Sequence, residues 1–230
     1  MEISNIYGQF CPVAMASEIL CTRWTPLVLR ELISGSTRFN DIRRGVPKMS
    51  PTLLSKRLKE LEAAGVIEIR KLSDARPEYH LTEAGEELRP LIVGLGSWGH
   101  RWIESDLSLR NLDPSLLMWD IRRNFEPDPP PATRCTIQFL YPGLESRHQD
   151  WWLVVEPDDV DLCRLDPGFD VDIVISAELR ALTAVWMGIA RMADEIDAGR
   201  ITIDGAPGLA RQVLTWFKLS LFAEDPRRVS

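Results

Sequence analysis

Four prolines fall within six residues at Glu126-Pro-Asp-Pro-Pro-Pro131, and no helix or central strand can pass through such a segment. Proline lacks the N–H that both ladders need, and its ring clashes with the preceding helical turn. The segment is therefore a stiff, extended connector. A chain of 230 residues broken at that point is expected to hold more than one core. The expected division is a unit at 1–104, a helix and Pro-rich connector at 105–131, and a second unit at 132–230, whose core begins after the prolines. Hydrophobic residues at 45% and charged residues at 27% exclude a disordered tail or a collagen-like repeat. No run approaches the roughly 18 apolar residues of a membrane span. Glu2 stands where a secretory leader carries Lys or Arg. A cytoplasmic protein without membrane contact is expected.

The net charge of -7 argues against a phosphate-rich partner only as an average. Residues 1–104 carry 14 basic and 13 acidic side chains (+1), whereas residues 105–230 carry 13 and 21 (-8). Between Thr37 and Lys59 the basic residues Arg38, Arg43, Arg44, Lys48, Lys56, Arg57 and Lys59 meet only Asp41, a local balance of +6. Such an island is either a solvated face or a phosphate-binding surface.

Helix starts are marked by Thr25-Pro26, Ser50-Pro51 and Asp113-Pro114, where an oxygen caps free N–H groups and proline suits the first helical position. The spacing predicts helices over Pro12 to Leu20, with Met15, Ala16, Ile19 and Leu20 inward, and over Leu27 to Ile33, Phe39 to Arg44 and Pro51 to Ala64. In the last of these Leu54, Leu58 and Leu61 form one stripe. Thr52, Lys56 and Lys59 take the opposite side, with Ser55 flanking it. Arg57, at the stripe's edge, reads as an intramolecular ion-pair partner. Val66 to Arg70 and Glu78 to Leu81 alternate as two strands joined by a polar turn through Ser73-Asp74. Along the following helix Leu88, Leu91, Leu95, Trp98 and Trp102 repeat at intervals of 3 and 4, a seam suited either to another helix or to the chain's own core. Gly94-Leu95-Gly96-Ser97-Trp98-Gly99 matches G-x-G-x-x-G but lies inside that helix. A nucleotide loop must leave a strand, so the match is read as empty, and close helix approach or a local break is the expected reason for the glycines.

The run CPVAMASEILCTRWTPLVLRELISGSTRFNDIRRGVPKMSPTLLSKRLKELEAAGVIEIR, followed by PEYHLTEAG, resembles the HxlR-type winged helix-turn-helix transcription regulators across residues 9–104. The resemblance implies that the helix from Pro51 lies in a DNA major groove, that the hairpin is a wing, and that terminal helices pair two copies over a palindromic site. On that reading Arg38, Arg43 and Arg44 grip phosphate. Ser50, Thr52, Ser55, Lys56 and Lys59 face base edges and phosphates, and Lys71 and Arg76 reach the backbone or minor groove from the wing. The partners are double-stranded DNA and a second copy, joined through Leu88, Leu91, Leu95, Trp98 and Trp102. Some regulators of this type respond to oxidants through a cysteine placed like Cys11, whose position near a helix start favours a thiolate. A thiol switch is the alternative.

In the second half a helix from Asp113 to Phe125 precedes the prolines, and strands are predicted at Arg134 to Tyr141, Asp150 to Val155, Val160 to Leu165, Phe169 to Ser176 and Arg200 to Asp204. Helical spacing runs from Leu179 to Ile196, and again over Leu209 to Phe217. The stretches FDVDIVISAELRALTAVW and AGRITIDGAPGLARQVLTWF resemble the sterol-carrier-protein type domain, which sets a mixed sheet and helices around an apolar cavity. That resemblance implies a site for a small apolar effector, with Trp119, Trp151, Trp186 and Trp216 as lining residues. The fold class expected overall is α+β, a mainly helical winged module followed by a mixed-sheet domain. Cys11, Cys21, Cys135 and Cys163 form no C-x-x-C, and His80, His100 and His148 are isolated, so neither metal nor cofactor is expected. The chain carries no G-x-S-x-G, P-loop or H-E-x-x-H, and no catalytic residues or enzyme activity are expected. The competing class is a ligand carrier that does not bind DNA.

Overall fold

The computed structural model describes residues 7–71 and 76–229. The chain divides into two compact units, Met1–Gly96 and Ser97–Ser230. The division falls inside a helix, eight residues before the boundary expected at 104.

The first unit opens with α1 (Pro12–Leu20), α2 (Thr25–Ile33), α3 (Phe39–Gly45) and α4 (Pro51–Ala63), followed by β1 (Ile67–Arg70), β2 (Glu78–Leu81) and the short α5 (Glu83–Glu86). α2, α4 and α8 (Pro114–Arg123) each carry proline in the first turn, and Ser50 and Asp113 cap their helices as expected. Thr25 does not: Trp24 is the N-cap of α2, without a side-chain cap, and Thr25 is the first helical residue. The core joins Val28, Leu29 and Leu32 of α2, Ile42 of α3, the Leu54, Leu58 and Leu61 stripe of α4, and Val66 and Ile67. On α1 the expected inward face is not inward. Met15 and Ile19 are exposed, and only Leu20 packs partly against the core. The helix is largely apolar, but none of its residues is fully buried.

β1 and β2 pair antiparallel with Ile67 opposite Leu81 and Arg70 opposite Glu78. The turn expected at Ser73-Asp74 lies outside the described residues. A third segment joins the hairpin, since Tyr79 N–H donates to the Thr37 carbonyl at 2.8 Å and Arg38 bridges Glu78. At the hairpin's exit Thr82 caps α5 by accepting from Gly85 N–H, and its Oγ1 lies 2.6 Å from the Gly65 carbonyl. One hydroxyl thus ties β2 to the turn after α4.

α6 (Arg89–Trp102) runs unbroken across the Gly94 to Gly99 sequence. The glycines therefore cause no local break, and open space lies beside Gly94. The expected seam divides. Leu88 packs partly against the first core, whereas Leu91, Leu95, Trp98 and Trp102 are 52–59% exposed. Leu88 precedes the helix and points to its own unit, because α5 turns the chain there.

The second unit adds α7 (Ser105–Ser108), α8, β3 (Cys135–Leu140), α9 (Ser146–Gln149), β4 (Asp150–Val155), β5 (Val160–Cys163), β6 (Ile173–Ala177), α10 (Leu179–Trp186), α11 (Met192–Asp197), β7 (Ile201–Gly205) and α12 (Pro207–Trp216). Its sheet has the order β5-β4-β3-β6-β7, with β3 and β6 parallel and every other pair antiparallel. Along β3, β4 and β6 one set of alternate residues (Ile137, Phe139, Trp151, Leu153, Val155, Ile173, Ile175) enters a core completed by Leu117, Met118 and Ile121 of α8, Leu182 and Val185 of α10, and Val213 and Trp216 of α12.

The second unit departs from expectation at three places. Its core does not begin after the prolines, because α8 and Phe125 belong to it. Proline stops a helix from crossing, but it does not stop an extended connector from folding back. The strand expected from Phe169 starts only at Ile173, leaving Val171 38% exposed. Asp172 binds across to Thr136 through both its backbone and its carboxylate, which anchors the strand's entry. The helical spacing from Leu179 to Ile196 is interrupted after Trp186. Gly188 takes φ +73° at a point where a Cβ would lie 2.6 Å from the Ala223 carbonyl.

Candidate nucleic-acid interface

α4 is held from behind and bare in front. Its N-terminus is capped by Ser50, whose hydroxyl accepts from Leu53 N–H at 3.3 Å, and its first turn contains no acid. Ser50, proposed for DNA contact, is therefore committed to the cap through one lone pair while remaining exposed. Leu54, Leu58 and Leu61 are at most 2% exposed. Opposite them Thr52, Ser55, Lys56 and Lys59 line one shallow groove with Glu60 and Ala63. The structure thus brings four of the sequence-derived residues onto a single open face.

Glu60 is the one acid in that groove, and two cations neutralise it. Arg57, with a side chain only 13% exposed, pairs with Glu60 and donates to the Arg23 carbonyl at 3.1 Å. The intramolecular role read for Arg57 is what the structure shows. Lys56 Nζ lies 3.9 Å from Glu60, but both groups are largely solvated. An exposed i,i+4 pair is worth at most about 0.5 kcal/mol, so Lys56 is free to swing toward a phosphate. Lys59 projects from the same face one turn on.

The flanking cations arise from other elements. Arg43 and Arg44 sit exposed in the last turn of α3, with Arg44 3.3 Å from Asp41. Arg38, 69% exposed, lies 3.7 Å from Glu78 on β2. Lys71, after β1, and Arg76, before β2, are both exposed. Each ion pair is exposed enough to exchange for a phosphate at little cost.

Sequence reasoning missed the latch that fixes α3 behind this surface. Glu31 is fully buried on α2. It pairs with Arg30 at 2.7 Å and accepts from the Ser36 hydroxyl, while Arg30 also donates to the Gly45 carbonyl at 2.6 Å. A Cβ on Gly45 would lie within 2 Å of the Glu31 carboxylate. The available signal was an acid inside the apolar stripe Val28, Leu29 and Leu32, where an unpaired charge is untenable. Trp24, at the N-cap of α2, also adopts φ +79°, a left-handed conformation that a large side chain rarely takes.

The remaining candidates lie elsewhere. Cys11 is the N-cap residue of α1, a free thiol partly open to solvent. Trp151 and Trp216 are buried in the second core, and Trp186 packs partly against it. Trp119 does not join them. It lies outside that cluster, with Arg122 and Arg123 5.6 and 5.7 Å from its ring. It is nonetheless buried, at 4% exposure, so α8 covers it away from that cluster. Among the described residues no group of His, Cys, Asp and Glu is placed to hold a metal, and no helix is long and apolar enough to cross a membrane.

Residues 19–107 match the family described as HxlR-like helix-turn-helix. The HTH-type transcriptional regulator YvaP of Bacillus subtilis is 37% identical over 100 residues, which is 42% of this chain and 93% of that protein. This chain belongs to the HxlR-like family. Another relative, the HTH-type transcriptional regulator Rv3095 of Mycobacterium tuberculosis, is 34% identical over 156 residues, covering 60% of this chain and 98% of the relative. Among solved structures, the reduced form of the transcriptional regulator YodB from B. subtilis has 30% identity and a TM-score of 0.36, covering 42% of this chain and 97% of that one. The homologues of this HxlR-type chain are helix-turn-helix regulators of transcription, a class that binds DNA, and no enzyme is named among these relatives.

Proposed function

We propose that this HxlR-type regulator binds a palindromic operator as a homodimer, inserting α4 of each copy in the major groove and resting the β1–β2 wing on the adjacent backbone. The observation that carries this reading is the face of Thr52, Ser55, Lys56 and Lys59, polar, exposed and opposite the stripe that anchors the helix. Thr52 and Ser55 offer hydrogen bonds to base edges. Lys56, Lys59, Arg38, Arg43, Arg44, Lys71 and Arg76 meet phosphates. The test is equilibrium binding to promoter fragments across a salt series, in which specific affinity falls steeply as salt rises.

Dimerisation is supported by the exposure of Leu91, Leu95, Trp98 and Trp102, an apolar row of the kind that monomers rarely leave in water. Leu95→Glu with Trp98→Glu is expected to give a monomer by light scattering, and to weaken operator binding because only one half-site is then engaged. A dimer of unchanged mass would place the interface elsewhere.

For the second unit we propose a sterol-carrier-like architecture that takes a small apolar effector. Support comes from the five-stranded mixed sheet and from α8, α10 and α12 packing on its apolar residues around Trp151 and Trp216. Titration with fatty acids, sterols and aromatic compounds is expected to quench tryptophan fluorescence and raise the melting temperature for at least one class. No response to any class would remove the effector.

A thiol-responsive second reading is favoured by one observation, the part-exposed Cys11 at the start of α1. Cys11→Ser is then expected to abolish any effect of diamide on DNA binding.

A further inference from the structure

After α12 the chain does not leave the second unit. It runs along it as a strap. Lys218 N–H donates to the Asn124 carbonyl at 3.0 Å and Ser220 N–H to the Trp186 carbonyl at 2.9 Å, and Ala223 rests against Gly188. The strap then grips the last turn of α6. Arg101 reaches the Asp225 carboxylate at 3.1 Å, Ser97 also bonds that carboxylate, and Arg228 N–H donates to the Arg101 carbonyl at 2.9 Å. Arg227 donates to the carbonyls of His100 at 2.9 Å and Ile103 at 2.8 Å. Carbonyls at a helix C-terminus lack intrahelical donors, and a guanidinium there also complements the helix dipole.

His100 is enclosed by this grip. Only 7% of it is exposed, its ring is hydrogen-bonded to the Asp225 backbone, and its Nε2 is buried with no hydrogen-bond partner. We propose that the strap of residues 218–229 is an acid-sensitive clasp on the end of α6, closed while His100 is neutral and released when His100 takes up a proton.

The proton comes from solvent and goes to Nε2, the ring nitrogen without a partner. The resulting N–H has no acceptor, and the imidazolium faces the Arg227 guanidinium. The charged groups facing His100 are Asp225 and Arg227 on the strap and Arg101 on α6. Asp225 favours the charged ring, and its Oδ2 is buried without a hydrogen-bond partner, while Ser97 and Arg101 hold its carboxyl below the usual range. It therefore stays ionised throughout and is not the titrating group. Burial first, and Arg227 second, hold the His100 pKa below its ordinary value of about 6.5. The closed clasp thus binds fewer protons than the open one. Its stability is fully present above the ordinary pKa and is lost as pH falls through and below it. Opening removes the Arg227 cap, so the turn bearing Trp102 frays.

The experiment is hydrogen exchange on the full chain at pH 7.5 and 5.5, expressed as protection relative to intrinsic exchange at each pH. Protection of the Ser220, Ala223 and Arg228 amides is expected to fall by up to about tenfold at the lower pH, the limit for a single histidine. Amides of β3 and β4 should hold theirs. His100→Gln, which cannot titrate, is expected to keep the strap's protection at both values. Equal wild-type protection at the two pH values would overturn the clasp, as would a His100→Gln chain that loses as much as wild type. The ring of His100 followed by NMR in the wild-type protein decides without any variant: a midpoint below the ordinary histidine value supports the clasp, and one at or above it overturns it.

Discussion

Replacing Lys56 and Lys59 together by alanine is expected to weaken operator binding by roughly 10²–10³-fold near physiological salt. The two lysines occupy the open face of α4, and neither is needed for the core, which is built from Leu54, Leu58 and Leu61. Every phosphate that is no longer neutralised takes about 0.9 off the slope of log affinity against log salt, and two lysines in each of two copies leave four phosphates bare. The slope should therefore flatten by about 3.6. Fluorescence anisotropy with an operator fragment between about 50 and 300 mM salt reads both quantities. Unchanged affinity and slope would remove α4 from the interface. Arg57→Ala is the informative contrast. Its guanidinium is held by Glu60 and the Arg23 carbonyl, so its loss is expected to lower stability and leave the slope alone.

The second large effect is expected behind the interface. Gly45→Ala would drive a methyl group into the Glu31 carboxylate, which is fully buried and bound to Arg30 and Ser36. Overpacking together with disruption of a buried ionic network costs about 3–5 kcal/mol. The melting temperature of the first unit should fall by more than roughly 10 °C, as read by circular dichroism or calorimetry. In a Glu31→Ala background the same methyl group meets space instead of a carboxylate. The two substitutions should then be strongly non-additive, with Gly45→Ala costing far less in the double variant. Additive losses would place the constraint on Gly45 elsewhere than Glu31.

How far the sequence reached depended on the range of the interaction being read. The helix starts at Thr25-Pro26, Ser50-Pro51 and Asp113-Pro114 are local chemistry, and each opens a helix. The polar face of α4 is one helix's periodicity, and it survives folding because nothing covers it. Errors began where a residue's partner lay far along the chain. Met15 and Ile19 have the right spacing to be buried, but no neighbour arrives to bury them. The stripe from Leu179 to Ile196 has helical spacing throughout, but Ala223 comes so close to Gly188 that only a left-handed glycine fits, and the helix ends before it.

The prolines at 126–131 show the same division from the other side. By themselves they determine that no helix crosses the segment, because proline removes a donor and clashes with the turn before it. They do not determine where a core ends. That was decided by Leu117, Met118, Ile121 and Phe125, which lie before the prolines and bury themselves with strands that follow them. Apolar surface is buried wherever complementary surface is found, irrespective of chain order. The same rule brought Arg227 to the carbonyls at the end of α6, more than a hundred residues earlier in the chain. The sequence alone determined a basic, capped helix beside a hairpin, since these rest on bonds between near neighbours. The pairing of Glu31 with Gly45, the placing of Trp119 apart from the other tryptophans, and the enclosure of His100 were decided by tertiary structure, because each depends on which distant backbone comes within reach.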